Sequence, residues 1–205
     1  MAIHYLSRVT PRPRTVTDDE ILAATARGMS RVPPTRFTLA EVAQEVGLAP
    51  ATLVQRFGSK RGLLLALSAQ SAATMDASFD AVREAHDSPL EALLAAATEM
   101  ARFSATPEEL ANSIAYLHID LSDAEFHHHI LESSRAMQRG YRTLLNDAVA
   151  AYELKECDTE RLARAVEAVS AGSLIGWAIH RKGKADAWVR KDLETLLAPY
   201  RRARS

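Results

Sequence analysis

Apolar residues recur at three- and four-residue steps along nearly the whole chain, which is the period of an amphipathic helix. The first helix begins at Thr17, because its hydroxyl and the Glu20 carboxylate three residues later form a capping box before an apolar run. Thr38 and Glu41 form a second capping box. No stretch alternates apolar and polar residues in the way a half-buried strand does. The pattern predicts an all-α protein of about nine helices.

The segment from Phe37 to Leu67 predicts a helix-turn-helix. A helix capped by Thr38 ends at Gly47, where a left-handed backbone costs little. Pro50 then starts a second helix with Leu53 and Phe57 facing inward. Two short helices joined by a Gly-containing turn form the unit whose second helix fits a DNA major groove. The alternative from this pattern alone is a packed helical pair with a solvated polar face.

The residues after the second helix favour DNA binding. Ser59 can cap a further helix, and Lys60 lies in its first turn, where a positive charge opposes the helix dipole. Helix stability does not explain a lysine there, whereas a phosphate held jointly by the ammonium and the free backbone amides does. The sequence therefore indicates a phosphate contact at this junction.

These residues resemble the TetR family of bacterial one-component transcriptional repressors. The resemblance runs from Thr17 to about Leu67. Five short motifs carry it, namely Val42-Ala43, Gly47-Leu48, Ala51-Thr52-Leu53, Phe57-Gly58-Ser59-Lys60 and Leu63-Leu64. It implies a three-helix DNA-binding domain followed by a larger helical domain that binds a small molecule and forms a homodimer. It also implies double-stranded operator DNA as a partner.

Two positions depart from the family pattern. Val54 replaces a tyrosine that typically contacts the DNA backbone, and Ala49 replaces a common serine. The resemblance implies phosphate contacts by Thr38, Thr52 and Lys60 and base contacts by Gln55 and Arg56. The full set of candidate DNA-binding positions is Arg36, Thr38, Ala49, Pro50, Ala51, Thr52, Val54, Gln55, Arg56 and Lys60.

The charge distribution agrees with a DNA-binding N-terminus although the formal net charge is only −1. Residues 1–63 contain nine basic and five acidic side chains, a net +4, and the remainder contains sixteen basic and twenty-one acidic side chains, a net −5. A basic head on an acidic body is the asymmetry expected when one part binds a polyanion. Three segments are predicted: a flexible basic arm at 1–16, a DNA-binding domain at 17–62 and a regulatory domain at 63–205. Arg12 and Arg14 in the arm are candidates for a minor-groove contact or for simple solvation.

The regulatory domain offers candidates for a ligand pocket and a dimer face. Large or polar residues on otherwise apolar helix faces are the pocket candidates: Met75, Phe79, Met100, Phe103, Tyr116, His118, Phe126, Met137 and Tyr141. Two long C-terminal amphipathic helices, each with a Trp, predict a four-helix dimer interface rather than core packing alone. Its candidates are Leu162, Val166, Val169, Ser173, Gly176, Trp177, His180, Trp188, Leu193, Leu196, Leu197 and Tyr200.

Other functions have little support in the sequence. Three consecutive histidines, His127 to His129, point about 100° apart on a helix and cannot share one metal ion, so no metal site and no cofactor are predicted. No phosphate loop or catalytic motif is present, and the single cysteine, Cys157, lies between two acids that raise its pKa, so no enzyme is predicted.

The apolar runs are short and broken, which predicts no membrane span, and the lone cysteine suits a cytoplasmic protein. The leading hypothesis is a dimeric repressor released from a palindromic operator by a small molecule. The alternative is a helical ligand-binding or interaction protein whose DNA recognition is lost or weak.

Overall fold

The computed structural model of the chain describes residues 16–102 and 105–202, apart from the side chains of Met100 and Arg102. This part contains nine α-helices and no strand; the only β-type pairing in it is an isolated bridge between Leu154 and Arg201. The helices are α1 Asp18–Arg31, α2 Leu39–Val46, α3 Pro50–Phe57, α4 Lys60–Glu84, α5 Pro89–Arg102, α6 Pro107–Ser122, α7 Ala124–Ala150, α8 Thr159–His180 and α9 Ala185–Leu197. A 3₁₀ turn, Ala198–Tyr200, follows. The predicted fold class is confirmed.

Local sequence explains where the N-terminal helices begin and end. Both predicted capping boxes are present, at Thr17 with Glu20 and at Thr38 with Glu41. Gly47 ends α2 with φ 71°, in the left-handed region that favours glycine. Ser59 caps α4, and its hydroxyl oxygen accepts from the Gly62 amide at 3.0 Å. The capping signals therefore set the lengths of these helices as the sequence predicts.

Two apolar clusters form the interior. The first joins α1, α2 and α3 to the first two turns of α4 and also contains Tyr116 and Phe126 from α6 and α7. The second lies among α5, α7, α8 and α9. We call residues 17–67 the head and residues 68–202 the body. A boundary after residue 62 cuts through the first turn of α4, which runs without a break from the head into the body.

The helix α8 corrects the expectation that no segment is long and apolar enough for a membrane span. By length and composition it passes that test, with a mean hydropathy of 1.3 over its best window, 39% of which is buried inside the protein. It packs against α7 and α9 and buries Val166 and Trp177 against them. Because a core helix of a globular protein has the same composition, the result is weak evidence for a membrane span.

Candidate nucleic-acid interface and ligand cavity

The helix α3 presents one face to solvent and the other to the core. Leu53 is fully buried and Phe57 is half-buried, as their four-residue spacing predicts. The outer face consists of exposed Ala51, Val54 and Gln55, with Val54 47% exposed. In a helix-turn-helix this outward face of the second helix is the one that lies in the DNA groove.

Arg56 is held within the head instead of projecting from it. Its Nη1 donates to the Val16 carbonyl at 2.8 Å, and its Nη2 lies 2.6 Å from a carboxylate oxygen of Asp18. The guanidinium therefore joins the end of α3 to the start of α1. Gln55 makes no side-chain hydrogen bond to the described residues, so its amide is the polar group of α3 available to an adenine edge.

Lys60 also has partners within the head. Its Nζ donates to the Pro34 carbonyl and lies 5.6 Å from the centroid of the Phe37 ring. An ammonium carries three protons, so one bond to a carbonyl leaves capacity for a phosphate. Thr38 is less available, because its hydroxyl donates to Glu41 while it caps α2.

The remaining DNA-binding candidates lie in the head as well. Those exposed to solvent are Arg36, Ala49 and Pro50, whereas Thr52 is half-buried. Ala49 is the N-cap of α3. Its methyl side chain cannot accept a hydrogen bond, so the first backbone amides of α3 have no side-chain cap.

Four polar contacts join the head to α6, to α7 and to the residue between them, and one of the four is the ion pair of Arg61 with Glu125. The Arg61 guanidinium donates to both carboxylate oxygens of Asp123 at 2.9 Å. The Tyr116 hydroxyl donates to the Val32 carbonyl at 3.2 Å, and the Asn112 amide donates to the Ser30 carbonyl at 2.9 Å. The Arg61 hydrogen bonds hold the pKa of Asp123 below its usual value.

A cavity of about 520 Å³ lies in the body between α4, α5 and α7. Its apolar wall consists of Met75, Phe79, Ala81, Val82, Ala96, Met137 and Tyr141, and its polar wall of Ser71, Thr74, Ser78 and Glu99. The Phe79 and Tyr141 rings meet edge to face with centroids 5.1 Å apart. Volume and lining are those of a small-molecule site.

The structure divides the pocket candidates. It brings Met75, Phe79, Met137 and Tyr141 together at the cavity. It places Tyr116 and Phe126 away from this cavity, buried in the head cluster, and His118 exposed on α6. Phe103 and the side chain of Met100 lie outside the described residues.

The sequence reasoning missed the polar lining of the cavity. Ser71, Thr74 and Ser78 recur at three- and four-residue steps on α4 and share the face that carries Met75 and Phe79. That spacing was a usable signal, since small hydroxyl residues beside large apolar ones on one helix face are typical of a pocket wall.

Half of the residues predicted for the dimer face are buried within the single chain. The residues buried within the single chain are Leu162, Val166, Ser173, Trp177, Leu193 and Leu197. Val169, Gly176, Trp188, Leu196 and Tyr200 are half-buried, and His180 is exposed. An apolar stripe on a helix does not reveal whether its partner belongs to the same chain or to another.

A different stripe of α8 is exposed. Ala168, Ala171, Gly172, Ile175 and Ile179 recur at three- and four-residue steps, and Ile175 and Ile179 are 47% and 73% exposed. A Cβ added at Gly172 would meet no atom within 4 Å. Large aliphatic side chains exposed along one helix mark a surface that another molecule can cover.

The described residues contain no group of three His, Cys, Asp or Glu side chains placed to hold a metal ion. His127 and His128 are exposed, and His129 is half-buried. Partial burial, and Asp158 beside it, raise the pKa of the Cys157 thiol, which lowers its fraction of reactive thiolate.

Comparison with known proteins gives the same picture of the fold. Residues 21–67 match the family model described as bacterial regulatory proteins, tetR family. No curated protein sequence matches the chain significantly. A transcriptional regulator from Saccharomonospora viridis in complex with choline superposes with a TM-score of 0.71 at 16% identity, over 91% of this chain and 98% of that one.

Two further solved structures are similar. FadR from Bacillus subtilis in complex with stearoyl-CoA has a TM-score of 0.65 at 16% identity, over 89% of this chain and 98% of its own. SmeT, the repressor of the Stenotrophomonas maltophilia multidrug efflux pump SmeDEF, has a TM-score of 0.63 at 19% identity, over 91% of both chains. At these identities the likeness shows the fold. Residues 21–67 of the head are thus similar to the tetR family of bacterial regulatory proteins, and the chain as a whole shares the all-helical fold of these solved regulators.

Proposed function

We propose that the protein is a dimeric transcriptional repressor whose hold on operator DNA is released by a small molecule bound in the body cavity. The observation that carries this proposal is the course of α4, which provides most of the cavity wall and also begins at the phosphate-binding candidates of the head. A ligand that shifts α4 therefore moves the recognition helix. Release requires a coupling free energy between ligand and DNA of only a few kcal/mol, since about 1.4 kcal/mol changes the affinity tenfold.

Within this proposal α3 enters the major groove. Gln55 reads a base edge, and Lys60, Thr52 and Arg36 contact phosphates. Thr38 caps α2 and is also a candidate for a phosphate contact. Arg56 acts first by holding α3 against α1, since its guanidinium already bonds Val16 and Asp18. The Val54 side chain offers the groove an apolar contact, for which the thymine methyl group is the matching partner.

A homodimer supplies the second recognition helix. We assign its contact surface to the exposed α8 stripe of Ile175 and Ile179, together with the half-buried side of α9 at Trp188 and Leu196. A shallow depression between Val169, Gly172 and Leu196 lies along the same surface and can receive partner side chains. Two-fold symmetry then places the recognition helices at half-sites about 34–36 Å apart.

The ligands of similar proteins do not name the effector of this one. FadR was solved with stearoyl-CoA and the Saccharomonospora viridis regulator with choline, an anion and a cation on one fold. Regulators of this family are typically non-enzymatic DNA-binding proteins. We expect the same of this chain, and we expect it in the cytoplasm, where its operator is.

The test is a gel-shift with the DNA that flanks the protein's own gene, followed by selection from a random-sequence pool. We expect one palindromic site, bound by a dimer with an affinity that falls steeply as salt rises. The variant Gln55→Ala removes the proposed base contact. Its preference for the correct base at that position should fall about tenfold or more, since a bidentate contact contributes about 1–3 kcal/mol of discrimination.

The second candidate function is a helical ligand-binding or interaction protein without DNA recognition. Val54, Ala49 and the internal bonding of Arg56 favour it, because each removes a polar contact from the expected interface. Failure to select any sequence at low salt, from a protein that is folded and dimeric, would support this candidate and contradict the repressor.

A further inference from the structure

We propose that α6 fixes the angle between the head and the body, and that Asn112 and Tyr116 are positioning residues that thereby set the distance between the two operator half-sites. This inference rests on the proposed function, since it names what determines the operator geometry of the same dimer. It follows from the contacts that α6 makes with the head and with α8. The two residues act through the orientation of the head and not through a contact with DNA.

The end of α1 has backbone carbonyls that take their hydrogen bonds from α6. In a continued helix the Ser30 carbonyl would accept from the amide four residues later, but that residue is Pro34, which has no N–H. The Asn112 side-chain amide donates to this carbonyl at 2.9 Å. The Tyr116 hydroxyl donates to the carbonyl of Val32, the C-cap residue of α1, at 3.2 Å. The helix α6 therefore supplies two donors to the end of α1.

Tyr116 is part of the interior of the head, although it belongs to a helix of the body. Its side chain is buried in the head cluster, and its ring meets the Phe37 ring edge to face with centroids 6.3 Å apart. Burial, and to a smaller extent the Glu41 carboxylate, raises the pKa of Tyr116 to about 12, so the hydroxyl keeps its proton and stays a donor. A packed ring and a directed hydrogen bond together define one orientation of the head against α6.

The first turns of α6 are attached to α8, the helix to which the dimer contact is assigned. Leu110 lies in the body cluster together with Leu174 and Trp177 of α8. The Glu108 carboxylate lies 3.1 Å from Nη1 of Arg181, the residue that follows α8. The sixteen residues of α6 span about 24 Å. This helix therefore connects α8 to the head, and none of the described cavity-lining residues belongs to it.

The continuous helix α4 does not fix the angle by itself, because a head joined to the body by one helix can still turn about that helix. The Arg61 contact with Asp123 lies on α4, close to this axis. The contacts of Asn112 and Tyr116 reach α1 instead, so they add a second attachment away from the axis. Successive base pairs are about 3.4 Å apart, so a small rotation of each head changes the half-site distance by one base pair.

The first experiment measures the preferred spacing of the half-sites. The full chain is titrated with palindromes of the selected half-site whose spacing changes by one base pair at a time. The double variant Asn112→Asp with Tyr116→Phe removes both donors and keeps both shapes. Its preference for the best spacing over the neighbouring ones should fall about tenfold.

The affinity of the double variant for a single half-site should stay that of the parent, which separates a role in positioning from a general loss of structure. The matched control is Tyr152→Phe, which removes a hydroxyl from an exposed tyrosine outside the junction. Its spacing preference should be that of the parent.

The second experiment measures the orientation of the head without DNA. Spin labels at Ala51→Cys on α3 and Ala150→Cys on α7, both exposed positions, are introduced in a Cys157→Ser background. Pulsed electron resonance then gives the distance between head and body, and an excess of unlabelled protein restricts it to label pairs within one chain. We expect one narrow distance for the parent and for Tyr152→Phe, and a broader distribution for the double variant.

A double variant with the spacing preference of the parent, or with its narrow distance distribution, would overturn the inference. In either case a parent that binds a palindromic operator would still support the DNA-binding function. If a folded, dimeric parent selects no sequence, the repressor proposal fails and the role in spacing fails with it, whatever distances the labels give.

Discussion

The ammonium of Lys60 illustrates how a single side chain can serve both the fold and a ligand. It bonds the Pro34 carbonyl and covers the Phe37 ring, so it closes the loop between α1 and α2 at the place where α4 begins. The same place has the free backbone amides of a helix N-terminus, which favour an anion. The sequence indicated the phosphate role from position alone, and only the structure shows the internal bond.

Lys60→Ala should weaken binding to all DNA sequences alike. Each phosphate contact that is lost makes the negative slope of log K against log salt shallower by about 0.9. Fluorescence anisotropy over a salt series measures this. The control is Lys155→Ala, a lysine that also donates to a proline carbonyl but lies in the body. An unchanged slope for Lys60→Ala would contradict the assignment.

Asp123 links stability to pH at the junction between head and body. Its folded pKa lies below the unfolded value because Arg61 bonds the charged form. The resulting stabilisation is complete above the unfolded pKa of about 4 and is lost as the pH falls through the lower folded value. Asp123→Asn should therefore lower the thermal midpoint at neutral pH.

The difference in thermal midpoint between Asp123→Asn and the parent should shrink as the pH falls through the lowered folded pKa of Asp123, because below it the parent side chain is uncharged as well. Circular dichroism melts at neutral and acid pH measure it, with the exposed loop residue Asp87→Asn as the control. A difference of constant size across that range would show that Arg61 does not stabilise the charged carboxylate.

At the scale of helices, close approach of α4 and α7 depends on Gly140. A Cβ at this position would lie 2.3 Å from the Phe79 ring. The same Phe79 ring lines the cavity, so the packing of α7 against α4 at Gly140 positions one residue of the cavity wall. Sequence periodicity placed both helices, but it does not reveal which glycine meets which ring.

Gly140→Ala should destabilise the protein. Overpacking costs about 1–3 kcal/mol, while alanine in a helix recovers about 1 kcal/mol. Gly172→Ala is the matched control, because its new Cβ meets nothing within 4 Å and only the helix propensity changes. Chemical denaturation measures both, and a Gly140→Ala protein as stable as the parent would contradict the packing.

The boundaries of these helices were the most predictable part of the fold. Thr17, Thr38 and Ser59 cap their helices through hydrogen bonds that involve only residues three positions away. Such contacts are local, so the sequence contains both partners within one turn. Pro89 and Pro107 begin α5 and α6 for the same local reason.

For the whole molecule, the decisive surface is the exposed stripe of α8. Ile179→Asp should convert the proposed dimer into a monomer, because a charge would be buried against an apolar partner surface. Light scattering gives the mass, and operator affinity should fall with it. Tyr152→Asp is the control, since Tyr152 is also exposed and its φ of 59° suits Asp. A dimeric Ile179→Asp protein would place the interface elsewhere.

The amphipathic pattern of α8 shows what a sequence leaves open at this scale. Leu162, Val166 and Trp177 form the more apolar stripe and were predicted to meet a partner chain, yet they pack against the same chain. The opposite stripe, with Ile175 and Ile179, remains exposed. Both stripes satisfy the helical period, and only the positions of α7 and α9 decide between them.

By itself, the sequence determined the all-helical class, the capped helix starts, the helix-turn-helix and the basic head, since each depends on residues within a few turns of one another. The tertiary structure decided which candidates line the cavity, that Tyr116 and Phe126 join the head instead, and that Arg56 is bound to α1. These contacts join residues 38 or more positions apart, and helical periodicity specifies a face without specifying its partner.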